Sequence, residues 1–241
     1  MAAEPTARHS NVRKRIVLID DDADFVQQVD ETLVQQGYEV YTAYVCEEGL
    51  LHVANRQPDL VIVDVVLANS NGMKTCQRIR EMSDVPMMIL AAQGREEEIV
   101  RGLEHGADDY LTKPFGIEQL VTRMQVLLRR THVSPSEEPP AAYRDEYLAV
   151  DLADRRVEVQ GDLVKLTPTE YRLLGCLVQN TGRVLTYEQL LEEVWGQEYV
   201  NHVDYVRIYI WRLRKKIEKD PRRPEYILTE HGIGYRFEKA R

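Results

Sequence analysis

The sequence of 241 residues predicts an α/β domain with a doubly wound parallel sheet, followed by a smaller α+β domain. In residues 15–130, five short apolar runs alternate with five amphipathic helical segments, whereas the second half groups its short strands before and after three helices. A stretch rich in Pro, Ser and Glu separates the two halves. We therefore predict four segments: a tail at 1–14, a first domain at 15–130, a linker at 131–142 and a second domain at 143–241.

The elements of the first domain follow from hydrophobic periodicity. Strands are expected at 15–19, 38–42, 60–63, 86–90 and 109–112, and helices at 24–36, 46–56, 72–81, 95–104 and 117–130. The expected strand order is the flavodoxin-like 2-1-3-4-5, in which ligands bind beyond the carboxyl ends of the strands, at the switch point between strands one and three. The residues that end these two strands are therefore candidate site residues.

Carboxylates end both of these strands. Asp20 and Asp21 follow the first, Asp64 ends the third, and Lys113 follows the fifth. Neighbouring strands lie about 5 Å apart, and two carboxylates repel by about 4 kcal/mol at 4 Å and an effective dielectric of about 20, so the cluster needs a cation. Oxygen ligands favour Mg2+, and the lysine would contact phosphoryl oxygens. The alternative is that the acidic triplet ending at Asp22 only begins a helix.

Composition limits the class of protein. Apolar residues make up 44% of the chain and charged residues 29%, which is ordinary for a soluble globular protein. No apolar stretch approaches the roughly 18 residues of a membrane span, and the first residues lack the hydrophobic segment of a signal peptide. We therefore expect a cytoplasmic protein. The net charge of −9 falls entirely on the first 142 residues.

The second domain is predicted to open with a small antiparallel sheet and to end with a hairpin. Helices are expected from Thr167, from Thr186 and at about 204–218. The third helix places apolar residues at core spacing and carries five cations, Arg207, Arg212, Arg214, Lys215 and Lys216. Such a helix can enter the major groove of DNA, where arginine reads guanine and the other cations contact phosphates. The alternative is an ordinary cationic helix face.

Residues 15–130 resemble the receiver domain of bacterial two-component response regulators. The matching motifs are Ile16 to Asp22, Pro58 to Asp64, and Gly106 to Phe115. The resemblance implies that Asp64 is the phosphoacceptor, that Asp20, Asp21, Asp64 and the Val66 carbonyl bind Mg2+, and that Lys113 contacts the phosphate. It also implies a cis peptide between Lys113 and Pro114.

One departure from this family concerns signal transmission. The usual Thr or Ser at the end of the fourth strand is replaced by Ala91, whereas the switch aromatic is present as Tyr110. We hypothesise that Asp64 still accepts phosphate but that the signal reaches Tyr110 weakly.

The second domain resembles the winged-helix domain of the OmpR/PhoB-type subfamily. The matching motifs begin at Leu166, Val194, Arg212 and Gly232, and the region from His202 to Arg207 looks closest to regulators of potassium-uptake operons. The implied DNA-binding residues are Arg207, Tyr209, Trp211, Arg212, Arg214 and Lys215 on the third helix, with Arg236 in the wing. Tyr209 and Trp211 could instead cover the core, and Arg236 could form a salt bridge.

The subfamily also suggests partners. In its members the 95–130 face forms a two-fold dimer, and matching positions pair Asp109 with Arg123 and Glu97 with Arg130. The alternative for this face is a solvated surface. The resemblance implies a sensor histidine kinase, double-stranded DNA with repeated half-sites, and RNA polymerase as a further possible contact.

The predicted function is that of a DNA-binding transcriptional response regulator and not of an enzyme. Two alternatives stay open at this point. The receiver could be a constitutive dimerisation module that works without phosphorylation, which Ala91 favours and Asp64 with Lys113 opposes. The chain could also be an aspartyl-phosphate enzyme acting on a small substrate, although that leaves the cationic helix unexplained.

Overall fold

The computed structural model describes residues 13–67, 72–93, 96–130 and 142–239. The N-terminal domain contains, in chain order, β1 Arg15–Ile19, α1 Ala23–Gln35, β2 Glu39–Ala43, α2 Cys46–Arg56, β3 Leu60–Asp64, α3 Gly72–Met82, β4 Met87–Ala92, α4 Glu96–Glu104, β5 Asp109–Lys113 and α5 Ile117–Arg130. The strands are parallel and lie in the order β2-β1-β3-β4-β5. The predicted doubly wound fold is therefore confirmed, with element ends that differ by at most two residues.

The core of this domain has two apolar layers, one on each face of the sheet. Successive strand residues point to opposite faces, so Val17 and Ile19 lie in one layer while Ile16 and Leu18 lie in the other. Both layers are covered by helices, which is why the strands are apolar at nearly every position. The polar residues at the strand ends are thus held on a rigid, buried frame.

The start of α1 assigns one of the three acidic residues to the helix. The side chain of Asp22 accepts a hydrogen bond from the backbone N–H of Phe25 at 3.1 Å, so it is the N-cap of this helix. The capping alternative is therefore correct for Asp22. Asp20 and Asp21 lie outside the helix and remain available at the strand end.

The C-terminal domain has two small antiparallel sheets around three helices. Its elements are β6 Ala142–Arg144, β7 Leu148–Asp151, β8 Arg156–Val159, β9 Asp162–Leu163, α6 Pro168–Gln179, β10 Val184–Thr186, α7 Tyr187–Val194, a 3-10 turn at Gln197–Tyr199, α8 Val203–Ile217, β11 Ile227–Glu230 and β12 Gly234–Phe237. The second sheet has the order β10-β12-β11, and the hairpin of β11 and β12 forms the wing. This is the predicted winged-helix arrangement.

Capping boxes fix the starts of two of these helices. Thr167 and Glu170 exchange side-chain-to-backbone hydrogen bonds at the start of α6, and Thr186 and Gln189 do the same at the start of α7. Each box satisfies two backbone N–H groups that a helix end leaves without a partner. The α8 residues at core spacing, such as Val206 and Ile210, are buried as predicted.

The two domains are in direct contact. Helix α8 of the C-terminal domain packs against α4 of the N-terminal domain. Among the described residues, no helix has the length and apolar character needed to cross a membrane.

Candidate phosphoacceptor site and nucleic-acid interface

The acidic strand ends converge at the carboxyl edge of the sheet. Strands β1 and β3 are paired in parallel with Ile19 opposite Val63, so the residues that follow them meet. Carboxylate oxygens of Asp20, Asp21 and Asp64 all lie within 4.8 Å of one another. Asp20 and Asp64 are buried, whereas Asp21 is exposed, so the cluster opens to solvent on one side.

Lys113 bridges the two buried carboxylates. Its ammonium donates hydrogen bonds to Oδ2 of Asp20 at 2.7 Å and to Oδ2 of Asp64 at 2.8 Å. Its nitrogen also lies 4.7 Å from the centre of the Phe25 ring, a cation–π distance. The lysine is brought there by β5, and the peptide bond that follows it, to Pro114, is cis, as the resemblance implied.

The electrostatics of this pair favour a charged lysine. Burial lowers the pKa of Lys113, but the hydrogen bonds and charges of Asp20 and Asp64 outweigh it, and the net pKa is raised. Burial raises the pKa of Asp20 more than Lys113 and the Asp22 N–H lower it. A carboxylate that burial makes costly to ionise is stabilised by an added cation, so the donor set fits a divalent metal.

The remaining contacts orient Asp64. Its Oδ1 accepts a hydrogen bond from the backbone N–H of Val66 at 2.7 Å, while Oδ2 faces Lys113. The N-terminus of α3 lies against the same loop, because a Cβ at Gly72 would be only 2.6 Å from the carbonyl oxygen of Asp64. The oxygen-only cluster and the backbone around it form a small, tightly held site.

The position at the end of β4 that usually carries a Thr or Ser hydroxyl holds an apolar residue here. Ala91 is fully buried in β4 beside Thr112 of β5. Tyr110 is half-buried, and its ring stacks on Tyr205 of α8 with centroids 5.4 Å apart. The aromatic residue that was predicted as a switch therefore contacts the C-terminal domain directly.

The predicted DNA-binding cations of α8 lie in different environments. Arg207 and Lys215 are exposed; Arg207 pairs with Asp204 at 3.4 Å, and the nitrogen of Lys215 lies 5.2 Å from the centre of the Trp211 ring. Arg214 donates to the carbonyl of Ile227 in the wing at 3.0 Å. These residues form one cationic flank of the helix.

Two residues of the predicted DNA-binding set are buried against the N-terminal domain instead of lying open. The hydroxyl of Tyr209 donates to the carbonyl of Ala107 at 2.8 Å, and Arg212 donates to the carbonyls of Leu103 and Ala107 at 3.3 Å each. Arg212 also pairs with Glu170 at 2.9 Å. Arg212 is thus occupied on two sides.

Arg236 in the wing pairs with Glu230 and with Glu238, at 3.0 Å each. This is the salt-bridge arrangement that the sequence left open as the alternative to groove binding. Its side chain remains about one-third exposed.

The residues predicted for the dimer face are also arranged differently from the expected pairs. Asp109 and Arg123 form an ion pair of 3.0 Å within one chain, and Asp109 is fully buried. Glu97 is exposed and pairs with Arg101 at 3.6 Å. The side chain of Arg130 lies outside the described residues.

Sequence reasoning missed the tyrosines that bury Asp109. The hydroxyls of Tyr199 and Tyr205, both from the C-terminal domain, donate hydrogen bonds to its two carboxylate oxygens. A signal was present, because Tyr205, Tyr209 and Arg212 recur at helical spacing on a face of α8 separate from the core positions. The identity of the surface covering that face was not readable from the pattern.

Comparisons with known proteins agree with both of the family resemblances. Residues 16–125 match the family model described as the response regulator receiver domain, and residues 161–237 match that of the transcriptional regulatory protein, C terminal. The chain is 42% identical over 222 residues to the KDP operon transcriptional regulatory protein KdpE of Escherichia coli K12, covering 92% of this chain and 98% of that protein. The chain belongs to the OmpR/PhoB-type response regulators. It is a DNA-binding transcriptional regulator governed by phosphorylation, and not an enzyme.

Other relatives of this response regulator cover nearly its whole length. The transcriptional regulatory protein KdpE of Mycobacterium tuberculosis H37Rv is 37% identical over 223 residues, covering 92% of this chain and 98% of that one. The solved structure of a RitR mutant is 27% identical, covers 94% of this chain and all of its own, and superimposes with a TM-score of 0.76. DrrB of Thermotoga maritima, an OmpR/PhoB homologue, is 33% identical over 95% of this chain and all of its own, with a TM-score of 0.50.

The score for the RitR mutant concerns both domains at once. Neither domain alone is large enough to give a score of 0.76 over the whole chain, so both domains of the regulator superimpose together on the RitR mutant.

Proposed function

We propose that Asp64 accepts a phosphoryl group from a sensor histidine kinase and that this modification controls DNA binding by the C-terminal domain. The observation that carries the proposal is the convergence of the Asp20, Asp21 and Asp64 carboxylates with the ammonium of Lys113. Opposed charges on a rigid sheet edge, open to solvent on one side, suit the binding of a phosphoryl donor. The domain limits for this function are 15–130 for the receiver and 143–241 for the winged helix, joined by the linker at 131–142.

Asp20, Asp21, Asp64 and the carbonyl of Val66 would hold the Mg2+ ion. When bound, the ion neutralises charge on the phosphoryl oxygens during transfer. Asp64 then supplies the nucleophile: a carboxylate oxygen forms a bond to phosphorus as the bond from phosphorus to the donor's histidine nitrogen breaks. The N–H of Val66 holds the other carboxylate oxygen, and so orients the attack.

Lys113 would move its hydrogen bond from Asp64 to the new phosphoryl group. It already lies between Asp64 and Asp20 and stays charged, so it needs only to exchange one acceptor for another. Asp20 retains the ammonium close by during this exchange. The residue that would usually add a hydroxyl, at Ala91, contributes no polar contact.

Phosphate incorporation tests this assignment. We expect the full-length protein to form an alkali-labile, hydroxylamine-sensitive phosphate adduct with a small phosphodonor and Mg2+, and the Asp64→Asn variant to form none. Asp59→Asn is the matched control, since Asp59 is an acid on the approach to β3 that pairs with Lys14 at 2.8 Å. Labelling of Asp64→Asn at the level of the natural protein would contradict the proposal.

We propose that α8 reads the major groove through its cationic flank, with Arg207, Trp211 and Lys215 as the first contacts. Arg214 holds the helix to the wing. Arg236 can leave its glutamate partner and bind a DNA phosphate or enter the minor groove. Tyr209 and Arg212 join the contact set only when the receiver leaves α8. Arg207→Ala should relax sequence preference, whereas Lys215→Ala should weaken binding to all duplexes and reduce its salt dependence.

The target genes are proposed from the relatives. Both KdpE proteins are regulators similar along nearly the full chain, and the first is named for the KDP operon. We propose that this regulator acts in the cytoplasm and controls a potassium-uptake operon there. RNA polymerase is proposed as a further partner. Mapping the DNA that the full-length protein occupies across its genome tests this target directly.

Dimerisation on repeated half-sites is part of the proposal. The face is that of α4, β5 and α5, with Asp109 and Arg123 as one pair across the two-fold axis and Glu97 and Arg130 as the other. For the first pair to form, the ion pair within the chain must exchange partners. Sedimentation of the phosphorylated protein, with Glu97→Arg as the disruptive variant, tests the face.

A further inference from the structure

We propose that Phe25 is a positioning residue for phosphoryl transfer, because its ring holds the ammonium of Lys113 through a cation–π contact. The nitrogen of Lys113 lies 4.7 Å from the centre of this ring, within the roughly 6 Å over which such contacts act. Phe25 lies on α1 and not at a strand end, so it is outside the set of residues that forms the phosphoacceptor site. The inference rests on the proposed function, since it concerns how Lys113 assists the modification of Asp64.

The start of α1 brings the ring to the site. The backbone N–H of Asp22 donates to Oδ1 of Asp20 at 3.0 Å, and the side chain of Asp22 accepts from the N–H of Phe25 at 3.1 Å. These two bonds tie the first turn of the helix to the strand end that carries Asp20. Helical side chains lean toward the N-terminus of their helix. A ring in the first turn of α1 is therefore directed toward the acidic strand end.

A second ring fixes the orientation of the first. The rings of Phe25 and Phe115 have centroids 5.8 Å apart and planes at 81°, which is the favoured edge-to-face arrangement. Phe115 follows Lys113 and Pro114 in the chain. Both phenylalanines are partly buried and pack against the apolar layer that contains Leu111. The ring of Phe25 is thus already ordered, and its contact with the lysine costs little further entropy.

The ammonium of Lys113 is held by two carboxylates and by the ring. A lysine ammonium has three N–H donors, and two hydrogen bonds go to Oδ2 of Asp20 at 2.7 Å and to Oδ2 of Asp64 at 2.8 Å. The lysine side chain remains about one-third exposed, whereas both carboxylates are buried. The Phe25 ring is the apolar neighbour that completes this arrangement.

The contact with the ring matters most during the transfer itself. When Asp64 becomes an acyl phosphate, its carboxylate loses the charge that attracts the lysine. Asp20 and Asp64 would also share their charge with Mg2+, so they hold an ammonium less firmly once the metal is bound. The ring of Phe25 takes part in neither change. It therefore keeps Lys113 within reach while the lysine exchanges Asp64 for the phosphoryl oxygens, and a group already in position lowers the barrier.

The apolar residue at Ala91 increases the importance of this placement. Ala91 is fully buried and offers no hydroxyl to a phosphoryl group, and the N–H of Val66 is already bonded to Asp64. Lys113 contacts both buried carboxylates of the site. Its stem is long and flexible, so a fixed ring beside the ammonium limits the positions that the charge can take.

The contact can be tested first without any phosphodonor. Protons that lie over an aromatic face are shifted upfield by the ring current. In lysine-labelled full-length protein, the ε-methylene resonance of Lys113 should therefore lie upfield of those of exposed lysines and return to their position in Phe25→Leu, which keeps an apolar side chain but has no ring. Lys113→Arg assigns the resonance by its loss. An ordinary chemical shift in the natural chain would overturn the proposal.

The effect on the reaction can be tested by changing the electron density of the ring. Fluorine withdraws density from the ring face and changes the size of the side chain little. Full-length protein with monofluorinated or trifluorinated phenylalanine in place of Phe25 is treated with phosphoramidate and Mg2+, and the adduct is measured by phosphate-affinity electrophoresis. The same substitutions at Phe115 are the matched control, because that ring packs in the same apolar layer. Circular dichroism verifies that each variant is folded.

We expect Phe25→Leu to lower the phosphorylation rate roughly threefold, as the loss of a partly exposed cation–π contact implies. The trifluorinated ring should come close to Phe25→Leu, and the monofluorinated ring should lie between it and the natural chain. Fluorination of Phe115 should leave the rate nearly unchanged. This graded response depends on the charge distribution of the ring and not on its volume.

Equal rates for all the rings at residue 25 would overturn the proposal, even if Phe25→Leu is slower, because the residue would then act by packing alone. A natural chain that incorporates phosphate at Asp64 at a rate independent of Phe25 would contradict this inference and leave the proposed function intact. A natural chain that incorporates no phosphate would contradict both.

Discussion

Replacing Glu170 with Gln tests how much of the C-terminal domain depends on one buried carboxylate. Glu170 is fully buried at the start of α6. One oxygen accepts from the backbone N–H of Thr167 at 2.8 Å and from Lys216 at 2.6 Å, and the other pairs with Arg212 at 2.9 Å. A glutamine keeps the cap acceptor and the side-chain volume but removes the charge.

The expected loss of stability depends on the two cations that remain after the carboxylate is removed. Removing one partner of a buried ion pair costs about 3–5 kcal/mol. Arg212 is almost completely buried, whereas Lys216 is about one-third exposed and can hydrate. The cap itself, which contributes about 1 kcal/mol, is retained. We therefore expect Glu170→Gln to lower the free energy of unfolding by about 3 kcal/mol, at the lower end of the range.

The assay is urea unfolding of the full-length protein followed by tryptophan fluorescence. Both tryptophans, Trp195 and Trp211, lie in the C-terminal domain, so the signal reports that domain alone. Glu188→Gln, an exposed carboxylate in the first turn of α7, is the control and should change stability by less than about 0.5 kcal/mol. A loss below about 1 kcal/mol in Glu170→Gln would refute the reasoning, because that is the size of an exposed ion pair.

The pH dependence supplies a second check on Glu170. Burial raises its pKa, but the charges of Arg212 and Lys216 and the hydrogen bonds from Lys216 and Thr167 outweigh it, and the net pKa lies below its usual value. A carboxyl group with a lowered pKa in the folded state stabilises the protein above its unfolded pKa, about 4.3, and this contribution is lost as the pH falls through the folded pKa. The stability difference from Glu170→Gln should therefore be full at neutral pH and shrink below about pH 4.3.

Three further predictions concern signalling. Ala91→Thr should increase the dimerisation that follows each phosphate incorporated, measured by sedimentation of labelled protein; equal responses would remove any role for the missing hydroxyl. Gly72→Ala should reduce phosphorylation roughly tenfold or more, because its Cβ would lie 2.6 Å from the Asp64 carbonyl oxygen, while circular dichroism stays unchanged. The pKa of His202 is lowered, because burial and then the charge of Arg123 outweigh the effect of Asp109 and Asp204, which raise it. The histidine ring contacts the rings of Tyr110, Tyr199 and Tyr205. The packing of the two domains against each other is thus favoured above about pH 6.5 and weakens as the pH falls below that value. X-ray scattering should show expansion as the pH falls, and His202→Gln should remove the dependence.

The doubly wound fold could be predicted because each strand is short and apolar, and because a segment with helical periodicity separates it from the next strand. Parallel strands with both faces covered need apolar residues throughout, and β3 is buried at all five positions. The grouping of Asp20 with Asp64 then followed from strand order alone, since adjacent parallel strands end at one edge. Local periodicity was sufficient here because the site is built at strand ends.

The environments of individual cations could not be predicted in the same way. Arg212 and Arg214 are two residues apart on one helix, yet one is buried between Glu170 and the receiver and the other is tied to the wing. The partner in each case lies far away in sequence or in the other domain. A helical wheel gives the direction of a side chain but not the surface that meets it, which is why Tyr209 was assigned to DNA and lies against Ala107.

Helix α8 carries more contact surfaces than it can satisfy at once, and this accounts for its composition. Val206 and Ile210 face the core of its own domain in every state. Arg207 and Lys215 lie on a cationic flank suited to phosphates, and the stripe from Tyr205 to Arg212 is covered by the receiver. Since the receiver stripe pairs its polar groups with backbone carbonyls and one carboxylate, water or nucleic acid can replace each of those contacts. Release of the helix would also expose the tyrosine rings that lie between the domains, such as Tyr205 where it stacks on Tyr110, while Val206 and Ile210 keep the C-terminal domain folded. Opening the regulator therefore costs the burial of these rings rather than the polar contacts, which find other partners.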